Sequence, residues 1–178
     1  MARSLLEGVL VKVFLAGVLL ATLIIFVGGD FSGVTGLSME PTLREGDGVW
    51  GERISLFLGR LHRGDVVLLQ TARGTSLVKR VIGLPGDLIE IRQGVLHLNG
   101  TAQSEPYVRK PARGYFPPVR VPDGHCFVLG DNRGHSLDSR ILGFVPLASI
   151  RYRVAIRVWP PGSFGLLPGP QGRQDSPG

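Results

Sequence analysis

Apolar residues dominate the chain from Val9 to Val27, reading VLVKVFLAGVLLATLIIFV with Lys12 as the only charge. Nineteen such residues at ~1.5 Å each in a helix would span roughly the ~30 Å of a bilayer's hydrocarbon core. The stretch is too long for a cleaved secretory signal, whose apolar part is ~7–15 residues. It predicts an uncleaved transmembrane helix over 9–28, after a short cytoplasmic N-terminus over 1–8. Arg3, Glu7 and Lys12 at its N-terminal end and Asp30 after it favour an N-terminus inside and the remainder outside, in a single pass through the plasma membrane.

Beyond residue 35 the pattern changes to short runs of Val, Ile and Leu between Gly, Pro, Asn and Asp. It predicts strands over 65–69, 76–82, 88–91, 95–98, 125–129 and 150–159. Gln93-Gly94 is a tight-turn signal that would pair 88–91 with 95–98 as a hairpin. Along 150–159, Tyr152, Val154, Ile156 and Val158 alternate with Arg151, Arg153, Ala155 and Arg157, an apolar face opposite a basic one. The expected fold is mainly β, an antiparallel barrel or sheet domain over 29–160, carried on the N-terminal helix. Residues 101–124, rich in Pro, Arg and Tyr, read as a ribbon or loop insertion. The Pro/Gly-rich tail over 161–178 reads as partly disordered.

Composition narrows the class. At 178 residues the chain holds about one domain, large enough to bury a core unaided. A single cysteine, Cys126, rules out an internal disulfide. The net charge of +6 favours an anionic surface. The basic groups Arg109/Lys110/Arg113 and Arg151/Arg153/Arg157 lack the aromatic interleaving of a nucleic-acid site. No metal-ligand spacing occurs, and no cofactor is expected.

Chemistry concentrates in four segments: 36–43 (GLSMEPTL), 63–67 (RGDVV), 79–87 (KRVIGLPGD) and 130–140 (GDNRGHSLDSR). Ser38 needs a base to become a nucleophile. None of the four histidines lies in a serine-hydrolase signature. Of the three lysines, Lys12 belongs to the apolar helix and Lys110 to the ribbon. Lys79 lies within an apolar strand, sharing a face with Leu77 and Val81, while Arg80 points away. Desolvation there would bring its amine toward neutrality, as a general base requires. The dipeptide Asp131-Asn132 reads as turn chemistry, and Asp87 as a structural partner. Cys126, in an apolar strand, reads as packing. The run Ile54-Ser-Leu-Phe-Leu58 is unusually apolar for a loop and suits contact with a lipid surface.

Taken together and in this order, the segments resemble the type I signal peptidases, membrane-bound leader peptidases with a Ser/Lys dyad. The resemblance implies a mainly β domain against the outer face of a membrane. It implies Ser38 as the acylating nucleophile and Lys79 as the general base. Ser136 would orient the lysine amine, and Asp138 and Arg140 would support the site from behind, sharing one face of a strand. The oxyanion would rest on backbone N–H groups, including that of Ser38. Gly36 stands where some members carry a serine or threonine that helps there. The implied substrates are exported preproteins with small residues at the first and third positions before the cut. Membrane lipid is the other implied partner, nucleic acid is not one, and no obligatory protein partner is implied. Organelle inner-membrane peptidases share these motifs. A rival class is an inactive membrane-tethered β-domain that binds peptides or lipid.

Overall fold

The computed structural model of the chain describes residues 2–112 and 114–167. A helix, α1 (Ala2–Gly28), leads into two antiparallel sheets. The larger sheet contains β1 (Gly29–Gly33), β2 (Gly48–Glu52), β3 (Val66–Gln70) and β4 (Ser76–Gly83). The smaller sheet is built from β5 (Leu88–Arg92), β6 (Val95–Leu98), β7 (Thr101–Ala102) and β8 (Phe116–Arg120), in the order β7-β6-β5-β8. The chain then returns to the larger sheet with β9 (His125–Leu129), β10 (Val145–Pro146), β11 (Ile150–Trp159) and β12 (Gly165–Leu166). That sheet runs β1-β2-β11-β3-β4-β9-β10, with β12 beside β11. Two single-turn helices, α2 (Ile54–Phe57) and α3 (Ser139–Leu142), sit on connections.

The architecture is mainly β, but the transmembrane part of the expectation is overturned. Among the described residues, no helix is long and apolar enough to cross a membrane. The single-pass placement of the β domain outside a plasma membrane rested on that helix and is overturned with it.

Three apolar clusters hold the sheets. Ile82, Phe127 and Leu129 of the larger sheet pack against Ile89, Ile91 and Leu96 of the smaller. Val67, Leu69, Val81 and Val128 form a second cluster within the larger sheet. Val34, Met39, Leu43, Val49, Val66 and Val154 form the third, beneath the β1–β2 connection. The β5–β6 hairpin turns where expected, with Gln93 and Gly94 at φ of 49° and 84°. That is the left-handed pair a tight two-residue turn requires.

Two features differ from the sequence pattern. Within 101–124, β7 and β8 extend the smaller sheet, although Pro117 and Pro118 weaken the strand signal. At a sheet edge, proline's missing donor costs no ladder bond. In β11 the two-faced pattern is blurred by register shifts at 150/152, 154/156 and 157/159. Two of its three arginines form ion pairs, Arg153 with Glu52 and Arg157 with Asp47, and Arg151 donates to Gln70. In the tail, residues 161–167 form a short turn and β12, while 168–178 lie outside the described residues.

Leu43 is fully buried at the end of the segment that carries Ser38. Leu43→Ala is expected to lower the unfolding free energy by ~2–5 kcal/mol, because a buried leucine leaves both a transfer loss and a cavity. Urea denaturation measures it.

Candidate active site

Ser38 lies in the turn between β1 and β2. Its neighbours pin it from below: Met39 and Leu43 are buried in the third cluster, and the Leu43 N–H donates to the Met39 carbonyl. Asn132 pins it from the side. The Asn132 backbone N–H donates to the Ser38 carbonyl at 3.0 Å, and its Nδ2 donates to the Leu37 carbonyl at 3.0 Å. The Ser38 N–H itself makes no hydrogen bond among the described residues. Gly36, at φ 83°, instead donates its N–H to Glu45 Oε1 at 3.3 Å. A side chain at residue 36 would sit in the left-handed region that favours glycine.

Lys79 comes from β4, opposite Val67 of β3. It is 2% exposed. Its Nζ donates to Ser38 Oγ at 2.7 Å and to the Val78 carbonyl at 2.8 Å. Burial pushes its pKa down to about 8, against the opposing pull of Asp138 and Asp131. The structure therefore brings the hydroxyl and the amine of the expected dyad into hydrogen-bond reach, with the amine in a dry setting.

The loop over 130–140 supplies the rest. Asp138 caps the N-terminus of α3, its carboxylate accepting from the Arg140 N–H. It also accepts from Arg140 Nε and Nη2, both at 2.8 Å, and from the Gly130 N–H at 3.0 Å. Burial works to raise the Asp138 carboxyl, but the Arg140 guanidinium and the Gly130 N–H outweigh it and hold it below its ordinary value. The Asp138–Arg140 pair thus forms through a helix cap rather than along one face of a strand. Ser136 Oγ is buried beside the Asp138 carboxylate and helps hold that carboxyl below its ordinary value. Its expected bond to the lysine amine is not formed here; Val78 O takes that place.

Several residues were not singled out from the sequence for a role at the site. Asp131 is buried and does more than turn chemistry. It accepts from Arg80 Nε at 2.9 Å and Nη2 at 2.7 Å, and from Thr42 Oγ1 at 2.6 Å. It therefore ties the residue after Lys79 to the turn of Ser38. Gly130 approaches so closely that a Cβ would lie 2.2 Å from Ser136 Oγ and 2.5 Å from the Ser38 carbonyl oxygen. Only glycine fits between them. Arg133 and Glu105 form another buried pair, and Tyr107 lies over Arg80. The signals for these were present only as residue types, because the partners are distant in sequence. Asp87 accepts from both Nε and Nη2 of Arg63, from the Leu84 N–H and from Asn99 Nδ2. Cys126 is buried, and its thiol is pushed up to about 12 by desolvation. No group of residues able to hold a metal ion occurs among the described residues.

Residues 7–159 match the family described as signal peptidase, peptidase S26. A probable signal peptidase I-2 of Synechocystis is 39% identical over 73% of this chain, which spans 63% of that relative's length. A signal peptidase I of Bacillus caldolyticus is 38% identical, covering 83% of this chain and 88% of the relative. A crystal structure of a signal peptidase I from Enterococcus faecalis is 35% identical, with a TM-score of 0.48 over 52% of this chain and 95% of that one.

The pKa of Lys79 sets a pH dependence. At pH 7 roughly one lysine in ten is neutral if its pKa is about 8. A rate that depends on the neutral amine is expected to rise about tenfold per pH unit below that value and to level above it. Burial depresses this group, so the unfolded chain binds the extra proton between about 8 and ~10.4. Its contribution to stability therefore rises with pH across that window. Peptide cleavage rates from pH 6 to 10 check the first, and urea midpoints at pH 8 and 10 check the second.

Proposed function

The chain belongs to the signal peptidase family, peptidase S26, as a serine endopeptidase that removes N-terminal leader peptides, and we propose that Ser38 and Lys79 carry its reaction. The 2.7 Å contact between Lys79 Nζ and Ser38 Oγ is the observation that supports this most directly. Neutral Lys79 takes the Ser38 proton as Oγ attacks the scissile carbonyl. The Ser38 N–H, which has no other acceptor among the described residues, stabilises the oxyanion. The lysine ammonium then gives its proton to the leaving amine, and the carbonyl carbon remains esterified to Ser38. Water, deprotonated by the same amine, hydrolyses the ester and restores the hydroxyl.

Ser136, Asp138 and Arg140 support the site in this reading. Asp138 and Arg140 fix the 130–140 loop. Ser136, buried beside Gly130 and Asp138, is the hydroxyl assigned in this reading to orienting the lysine amine.

The substrate enters as a strand. β3 pairs with β4 from Ser76 to Arg80, whereas β9 pairs with β4 only at Arg80, Val81 and Gly83. Residues 76–79 therefore present a free edge on the β9 side, to which an extended peptide can add. That edge leads from Lys79 to Ser76, which lines a cleft of about 350 Å³ with Phe31, Ser32 and Leu68. Small residues at the first and third positions before the cut belong to the same reading, by likeness to the family.

Contact with lipid belongs to the same reading. In and after α2, Ile54, Phe57 and Leu58 are 43%, 91% and 52% exposed, so the segment is not a core one. Phe57→Asp is expected to weaken binding to anionic liposomes severalfold, read by co-sedimentation. Unchanged binding removes the lipid contact.

Ser38→Ala and Lys79→Ala are each expected to lose at least ~10³-fold in preprotein cleavage, since members of a catalytic unit fail together. Lys79→Arg should fail equally, because arginine stays protonated. Gel-based processing of a preprotein measures all three. Wild-type rates in any of them would overturn the dyad. An inactive wild type would favour the peptide-binding alternative.

A further inference from the structure

The turn Glu105-Pro106-Tyr107 leaves the smaller sheet after β7 and reaches the charges beneath the dyad. Glu105 accepts from Arg133 Nη1 at 2.7 Å and also from Nη2. The Arg133 side chain is 1% exposed and that of Glu105 10%. Arg133 Nε donates to the Gly130 carbonyl at 3.1 Å, and its own carbonyl accepts from Arg140 Nη2 at 2.8 Å. The pair is thereby tied to Gly130 at the start of the loop and, through Arg140, to Asp138.

Tyr107 serves the other segment. Its ring lies 4.0 Å from the guanidinium carbon of Arg80. Arg80 is fully buried and binds Asp131 and, through Nη1, the Gly64 carbonyl at 2.8 Å. The ring closes that ion pair from outside, and its hydroxyl donates to Glu105 Oε1 at 3.0 Å. A cation over an aromatic face is attracted most when both are shielded from water. Burial, with Glu105 beside it, pushes the Tyr107 phenol well above its ordinary range, so it remains a donor at any working pH.

One turn therefore grips two guanidinium groups. Arg80 follows Lys79 on β4. Arg133 belongs to the loop that holds Ser136, Asp138 and, through Asn132, the Ser38 turn. Asp131 lies between them and also holds Thr42. We propose that Glu105 and Tyr107 are positioning residues for catalysis, fixing the β4 segment and the 130–140 loop relative to each other so that the amine of Lys79 stays within reach of Ser38. The proposal rests on the dyad reading. It differs from a plain stabilising role because the turn belongs to the smaller sheet, whereas both groups it grips flank the reacting atoms.

The effect falls on turnover rather than on binding. Neither residue lines the cleft at Ser76. Tyr107→Leu removes the ring over Arg80. Tyr107→Phe keeps the ring and removes only the hydroxyl. Glu105→Gln leaves the Arg133 guanidinium without its counter-charge.

The test measures kcat and KM on one peptide substrate for wild type, these three variants and Ser38→Ala, well below each melting temperature. Tyr107→Leu and Glu105→Gln are expected to lose about tenfold or more in kcat with KM within about twofold, as for interactions realised in the transition state. Tyr107→Phe is expected to stay within about threefold of wild-type kcat. Should Glu105→Gln fail to fold, the Tyr107 pair decides alone. Wild-type kcat in Tyr107→Leu overturns the proposal. So does a loss confined to KM, an equal loss in Tyr107→Phe, or a loss that only tracks the unfolded fraction. Ser38→Ala separates the two readings: if it is dead while Tyr107→Leu is normal, the dyad stands and the positioning role falls. If it is active, the dyad itself falls.

Discussion

The site depends on keeping one buried amine close to neutrality in the presence of two carboxylates. Desolvation lowers the pKa of Lys79, and Asp131 and Asp138 both act to raise it. Two uncompensated carboxylates at that range would restore the ammonium and leave no base. Burial prevents this, and each carboxylate also has its own guanidinium: Arg80 on Asp131 and Arg140 on Asp138. Each pair is two-pronged, the geometry in which arginine and carboxylate bind most strongly. Both carboxylates still pull the Lys79 amine upward, and burial outweighs them.

Such pairs are not an efficient way to stabilise a domain. Taking both charges of the Arg80–Asp131 pair out of water costs several kcal/mol per ion, which their attraction offsets only with full hydrogen bonding. That bonding is present. The Arg80 guanidinium also donates to Gly64 O, and Asp131 also accepts from Thr42. What an apolar replacement could not supply is direction. Asp131 joins three segments in one fixed arrangement: the strand of Lys79, the turn of Ser38 and the loop of Ser136. A packed leucine would fill the volume and leave their relative positions less determined.

The strands beneath this arrangement were legible because strand signals are local. β6, β9 and β11 begin and end where their apolar runs do, and β3, β4 and β5 lie within a residue of expectation. β1 and β2 were missed because GDFSG and GVWGE are rich in glycine, and β8 because of its two prolines. At the site, the proximity of Ser38 and Lys79 followed from recognising the segments, not from spacing. The Asp138–Arg140 pairing followed too, but its local reason was misread, since a helix cap needs the extended backbone that Asp138 adopts. Asp131 was misread because a buried aspartate and a turn aspartate look identical until the distant arginine is placed. The apolar run near the N-terminus predicted a spanning anchor from hydropathy alone, and the described helix does not supply one.

The smaller sheet is where reading by segments stops short. Its hairpin looks like an appendage to a catalytic sheet, and its long 101–124 connection looks like a loop free to vary. The packing says otherwise. Phe127 and Leu129, which lead directly into Gly130, are buried against Ile89 and Ile91 of that sheet. The same sheet sends Glu105 and Tyr107 back over the loop's arginines. The loop of Ser136 is therefore held from below by apolar contact and from the side by charge, both from elements without a reacting atom. A lysine held near neutrality tolerates neither water nor drift, and a single sheet exposes one face of such a loop. The second sheet covers that face, which gives a physical reason for a protease of this size to keep two.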